Sequence, residues 1–168
     1  MTQHTIWKGI ASVEIPDSFQ VATIGEKRKI YGKYRKLPEF VLLNREHGIR
    51  ISSADTVKID KLCEMSIEHT AQMMSYLFKR TMPGYKSHGI YKRADEKKDM
   101  FTILYTHYDL KETLYTMSLI YKENDVVHLL QCTCNNADTV EWHPVFKNIV
   151  ESIYFNKKET SYEKSTIN

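Results

Sequence analysis

The chain has 168 residues, of which 42% are hydrophobic and 27% charged, with six glycines and four prolines. These values exclude collagen-like, low-complexity and wholly disordered chains, and at about 100–200 residues per domain they point to a single domain with its own core. A net charge of +3, from 24 basic and 21 acidic side chains, is too balanced to mark the whole molecule as a polyanion binder.

Residues 12–16 (Ser-Val-Glu-Ile-Pro) read as a short strand stopped by proline, with a turn at Asp17-Ser18. The extended pattern resumes over residues 19–24 and breaks at Gly25-Glu26. Residues 27–34 alternate with a period of two and are predicted as a strand, followed by a stronger one over residues 39–44. His47-Gly48 supplies a turn, and residues 49–53 return antiparallel. Ser66 then offers an N-cap, and Ile67, Ala71, Met74 and Phe78 recur at helical spacing until Pro83-Gly84 ends the helix near Thr81.

Four strands follow: one running from Tyr85 or His88 to Ala94, then residues 100–108, 113–122 and 126–134, joined by short polar links at 94–99, 109–112 and 123–125. Links this short force antiparallel neighbours. In the third of these strands Tyr115, Met117, Leu119 and Tyr121 share one face, while Thr116 and Ser118 lie on the other, which predicts one packed face and one partly wet. After a turn at residues 135–138 comes a last helix, with Pro144 in its first turn and an apolar stripe of Trp142, Val145, Phe146, Ile149, Val150 and Ile153. Residues 1–155 make one domain, and residues 156–168 are expected to be an unstructured polar tail. The order predicts an α+β fold, an antiparallel sheet of about six strands carrying helices.

Three cysteines, an odd number, with no secretory signal after Met1, are most simply read as reduced thiols of a cytoplasmic protein. No run of the sequence is apolar enough to span a membrane. Cys132 and Cys134 share a strand face with His128, which raises a metal- or thiol-dependent enzyme, with His143 or His107 as further candidates. A C-x-C pair on one strand does not wrap a tetrahedral ion, however, and no cysteine opens a helix that would activate its thiolate. Buried core cysteines are the preferred reading. No phosphate loop and no H-E-x-x-H pair of metal ligands is present. A catalytic constellation is therefore not expected, and neither is a cofactor.

Six of the ten residues from 27 to 36 are Lys or Arg. On a strand, Lys27, Lys29, Tyr31, Lys33 and Arg35 would share a face, a positive stripe suited to an anionic partner or nucleic acid. The plainer reading is a lysine-protected edge strand, and nucleic acid is the weaker option because no other basic cluster extends the stripe. Eleven tyrosines and seven methionines could line an adaptable groove, although most fall on the expected core face. Met73 and Tyr76 stand off the apolar stripe of the first helix and are the better candidates for exposed partner contacts.

The opening Val13-Glu14-Ile15-Pro16-Asp17-Ser18-Phe19, the order hairpin, helix and meander, and the close at residues 146–155 (Phe-Lys-Asn-Ile-Val-Glu-Ser-Ile-Tyr-Phe) complete the pattern. Together they resemble the superfamily that joins PsbP, the Ran-binding Mog nuclear-import factor and bacterial domains of unknown function. The resemblance spans residues 11–155 and implies an antiparallel sheet sandwiched by helices. It also implies action by binding, as a photosystem subunit, a GTPase-interacting factor or a chaperone of secretion effectors, without a shared active site. It expects a non-enzymatic, chaperone-like module that holds a segment of a protein partner on its sheet or groove.

Overall fold

The computed structural model describes residues 1–56, 58–93 and 100–157. In chain order the chain forms β1 (Thr2–Ile6), β2 (Ala11–Ile15), β3 (Gln20–Val21), α1 (Ile24–Tyr31), β4 (Phe40–Asn44), β5 (Ile49–Asp55) and α2 (Ile67–Thr81). It continues with β6 (Lys86–Lys92), β7 (Met100–Asp109), β8 (Glu112–Glu123), β9 (Val126–Asn135), α3 (Thr139–Glu151) and β10 (Tyr154–Phe155).

Two-residue turns join β7 to β8 and β8 to β9, so these long strands lie side by side. They anchor a seven-stranded antiparallel sheet of order β3-β4-β5-β9-β8-β7-β6, and β1, β2 and β10 make a separate three-stranded sheet. The α+β class is the one expected; the strands number seven and three instead of about six. The N-terminal β1 carries polar residues at most positions, which hid it from periodicity.

Alternation on β8 assigns the layers. Tyr115, Met117, Leu119 and Tyr121 point to the side where Trp142, Phe146, Ile149 and Val150 of α3 pack together with the small sheet. Ile120, with Phe101, Ile103 and Leu129, points to the opposite side, under Ile67, Ala71, Met74 and Phe78 of α2. Tyr31 of α1 packs on Val41 and Leu43 on that same side. Helices therefore cover both faces, α1 and α2 on one and α3 on the other. Thr116 and Ser118 are fully buried, so the face expected to be partly wet is largely covered.

Two expectations need correction. Residues 27–34 do not form a strand. Thr23 and Glu26 build a capping box, each side chain bonding the other's backbone N–H, and this starts a helix at Ile24. A bidentate pair from Arg45 to Glu26, at 2.7 and 2.9 Å, then fixes the helix to the β4–β5 turn. Pro144 does not sit in the first turn of α3, because the helix begins at Thr139 and places the proline inside it. Its missing N–H leaves the Val140 carbonyl without the usual helical donor, a loss met by solvent because Val140 is exposed.

Ser66 caps α2 as expected, its hydroxyl accepting from the His69 N–H at 3.0 Å. At the end of α2, Gly84 has φ +66, and a β carbon there would lie 2.4 Å from the Tyr108 ring, so only glycine fits. Asn156, assigned to the tail by composition, is held on the small sheet by bonds to Gly9, Ile10 and Ser12. The rest of the tail, residues 158–168, and the polar link at 94–99 lie outside the described residues.

Candidate binding cleft

Between α1 and α2 the sheet face is polar and largely buried, and a narrow cleft lies over it. Register places Arg50, Thr133, Thr116 and Tyr105 in one row across β5, β9, β8 and β7. The next row is Ser52, Gln131, Ser118 and Ile103. Polar groups in the centre of a sheet are costly unless bonded, and these bond one another. Thr116 and Thr133 share a hydroxyl bond of 2.9 Å, and the Gln131 amide donates to Tyr105 Oη at 3.0 Å and to Ser118 Oγ at 3.2 Å. Burial raises the Tyr105 phenol above its ordinary range, which keeps it neutral as part of this network.

From the end of α1 the chain swings through Tyr31, Tyr34, Lys36 and Pro38 to make one wall, and Phe78 of α2 with Met82 just beyond it makes the other. The enclosed cleft measures about 280 Å³. At its mouth Arg50 lies 5.7 Å from the centre of the Tyr31 ring and 3.8 Å from Asp109, while Lys33 reaches Asp109 at 3.4 Å. Burial holds His107 below the usual histidine range, and the Arg50 and Lys33 charges lower it further against the pull of Asp109.

The residues singled out from sequence scatter. Of the basic stripe, Tyr31 is buried in the cleft wall and Lys33 lines the depression next to it, which Arg50 shares with the cleft. Lys27 donates to the Glu39 carbonyl at 2.6 Å, holding the wall segment to the sheet. Lys29 and Arg35 are exposed, Lys29 beside Lys33 and Leu110 outside the cleft. The stripe breaks because a helix advances about 100° per residue and sends alternate side chains to different sides. Tyr76 is exposed on α2 with Arg80 over its ring at 5.8 Å, and Met73 is half-buried against the α2 core; neither lines the cleft.

The thiols divide as follows. Cys63 is exposed, whereas Cys132 and Cys134 are buried in the α3-side core. Burial pushes the Cys132 thiol far up and the Cys134 thiol to about 12, so neither is a ready thiolate. His128 lies elsewhere in that layer, in a three-ring cluster with Trp7 and Tyr121, with Nδ1 2.5 Å from Asp55 and Nε2 3.5 Å from Glu123. The two carboxylates bracket different ring nitrogens and do not converge on one point. Among the described residues no three His, Cys, Asp or Glu side chains gather so as to hold a metal ion.

Sequence reasoning missed Arg50, Ser52, Gln131 and Thr133. A trace was present: serines, threonines and a glutamine at alternate positions of otherwise apolar strands mark a sheet face that is not purely core.

A seven-stranded antiparallel sheet with helices on both faces is the PsbP-like fold. The chain is similar to the solution structure of cyanobacterial PsbP (CyanoP) from Synechocystis sp. PCC 6803, with a TM-score of 0.67 over 92% of both chains at 8% identity. It is also similar to LpqN of Mycobacterium tuberculosis, described as involved in cell envelope biogenesis (TM-score 0.56, 10% identity, 88% of this chain and 83% of that one). A third similar structure is PA94, a protein of unknown function from Pseudomonas aeruginosa (TM-score 0.54, 13% identity, 94% and 98%). At these identities the likeness is one of fold. No protein-family profile and no curated protein matches the sequence. Among the described residues no helix is long and apolar enough to cross a membrane.

Proposed function

We propose that the chain is a non-enzymatic, chaperone-like interaction module that holds a segment of a partner protein in the cleft between residues 31–38 and α2. The observation that carries this reading is the floor: hydroxyl and amide groups set in rows under aromatic walls, at a place where a sheet face built only for packing would be apolar. Such a cleft offers a polar floor and aromatic walls to a residue of the partner segment that enters it.

The enzyme alternative at His128, Cys132 and Cys134 draws no support from residues spread through a packed layer with protonated thiols. The nucleic-acid alternative loses its continuous basic stripe in the turn of α1. Retention of three reduced thiols fits a cytoplasmic setting.

A display selection of random linear peptides on the immobilised full chain tests the reading. Enriched peptides should bind wild type, lose about tenfold or more in affinity against Tyr34→Ala, as befits removal of an aromatic contact, and be indifferent to Tyr76→Ala. Absence of enrichment overturns the reading. Sensitivity to Tyr76→Ala alone would move the site to the outer face of α2 with Met73.

A further inference from the structure

The two-residue turns at either end of β8 match in length but not in chemistry. Asn124, with φ +53, opens the β8–β9 turn, and Leu110, with φ +52, opens the β7–β8 turn. Asparagine tolerates the left-handed region, whereas a leucine there is strained against its own β carbon. Burial does not compensate, since Leu110 is 101% exposed. Leu110 is thus an apolar side chain held in a strained position at the rim of a depression, where it is free to meet an incoming residue.

Leu110 stands next to Asp109, whose carboxylate lies near both Arg50 and Lys33. At 3.8 and 3.4 Å these contacts are longer than the 2.7–2.9 Å of charge-assisted bonds, and the one carboxylate is shared between two cations. Across the cleft and the depression beside it, the cations Arg28, Lys29, Lys33, Lys36 and Arg50 outnumber the carboxylates of Glu26 and Asp109, and Glu26 is already held by Arg45. Arg50 itself lines both the cleft and the depression under Leu110 and joins them into one surface. A cleft of about 280 Å³ takes a side chain or a terminal residue, not a whole cofactor.

We infer that the segment held by this protein carries a carboxylate, received by Arg50 and Lys33 where the cleft meets that depression, next to an apolar residue seated on Leu110. The inference rests on the cleft-binding reading above and specifies its partner: an acidic, extended peptide segment.

The test uses peptides taken from the display selection, each synthesised with its acidic groups intact and again with Asp, Glu and the C-terminus converted to amides. Binding to the full chain is measured by titration calorimetry. The acidic forms should bind about tenfold or more tightly than the amides, as expected for a charge-assisted contact. Arg50→Gln should erase that difference, with Lys33→Gln as the second variant should Arg50→Gln unfold the chain. Leu110→Asn should weaken binding while raising the melting temperature, a pair of effects that a purely structural role for Leu110 cannot give. Equal binding of acidic and amidated peptides overturns this inference and leaves the cleft reading standing. Failure of every peptide, acidic or neutral, overturns both.

Discussion

The Arg50 guanidinium stacks over the Tyr31 ring at 5.7 Å, joining the last residue of α1 to the second position of β5. This contact turns the wall of the cleft toward its floor, where Ser52 of the same strand also lines the cleft. Tyr31→Ala should therefore cost about 3 kcal/mol, in the range for truncating a buried aromatic, and should loosen residues 31–38. Tyr31→Phe keeps the stack and removes only the hydroxyl, so it should lose about 1 kcal/mol at most. Urea denaturation of the two variants checks the ordering; equal losses would mean that the ring contributes nothing.

Thr23→Ala removes the hydroxyl half of the capping box and should destabilise the fold by about 1 kcal/mol. Hydrogen exchange should accelerate first in residues 24–31. Unchanged exchange there would contradict a helix in a stretch whose alternation reads as a strand.

Leu110→Asn should stabilise the chain by roughly 0.5–1 kcal/mol, because asparagine relieves the left-handed strain without exposing anything new. For a chain of this size that raises the melting temperature by about 1–4 °C. A lower melting temperature would mean that Leu110 has a packing role in the isolated chain.

Thiol titration with a chromogenic disulfide should find one fast-reacting group in the native protein, Cys63, and two more only after unfolding. Three fast thiols would show that Cys132 and Cys134 are not sealed in the core.

Stability should fall at alkaline pH. Burial raises Cys134 from an ordinary 9.0 to about 12 and Tyr115 from 10.0 to about 12, with Cys132 and Tyr105 raised as well. The unfolded chain then releases these protons first, so the folded chain binds more of them over this range. The stabilisation is complete below the unfolded values and is lost as pH rises toward the folded ones. Urea midpoints should be flat near neutrality and drop steadily above about pH 9, and a midpoint that rises there would contradict the assignment.

The apolar framework was legible because it repeats. The stripe Ile67, Ala71, Met74 and Phe78 specified α2, and the alternation on β8 and β9 specified the meander that orders the sheet. The residues that failed were those whose local signals competed. From Lys27 to Lys36 the charges supplied a false period of two, while the Thr23 and Glu26 box, only four residues long, set the true structure. The cleft was hidden for another reason: Arg50, Gln131 and Thr116 come from three strands and meet only through long-range register. Conversely, the row of His128, Cys132 and Cys134 lay on one face as read, yet that face is core.

The central claim is that the hydroxyl-floored face between α1 and α2 is where this protein binds its partner. Amide chemical-shift mapping of the labelled full chain, titrated with a display-selected acidic peptide, tests it most directly. The account predicts saturable shifts at Arg50, Ser52, Thr116, Gln131 and Thr133 and in residues 31–38. Shifts confined to the α3 side, around His143 and Tyr91, with the cleft floor unmoved, would contradict it.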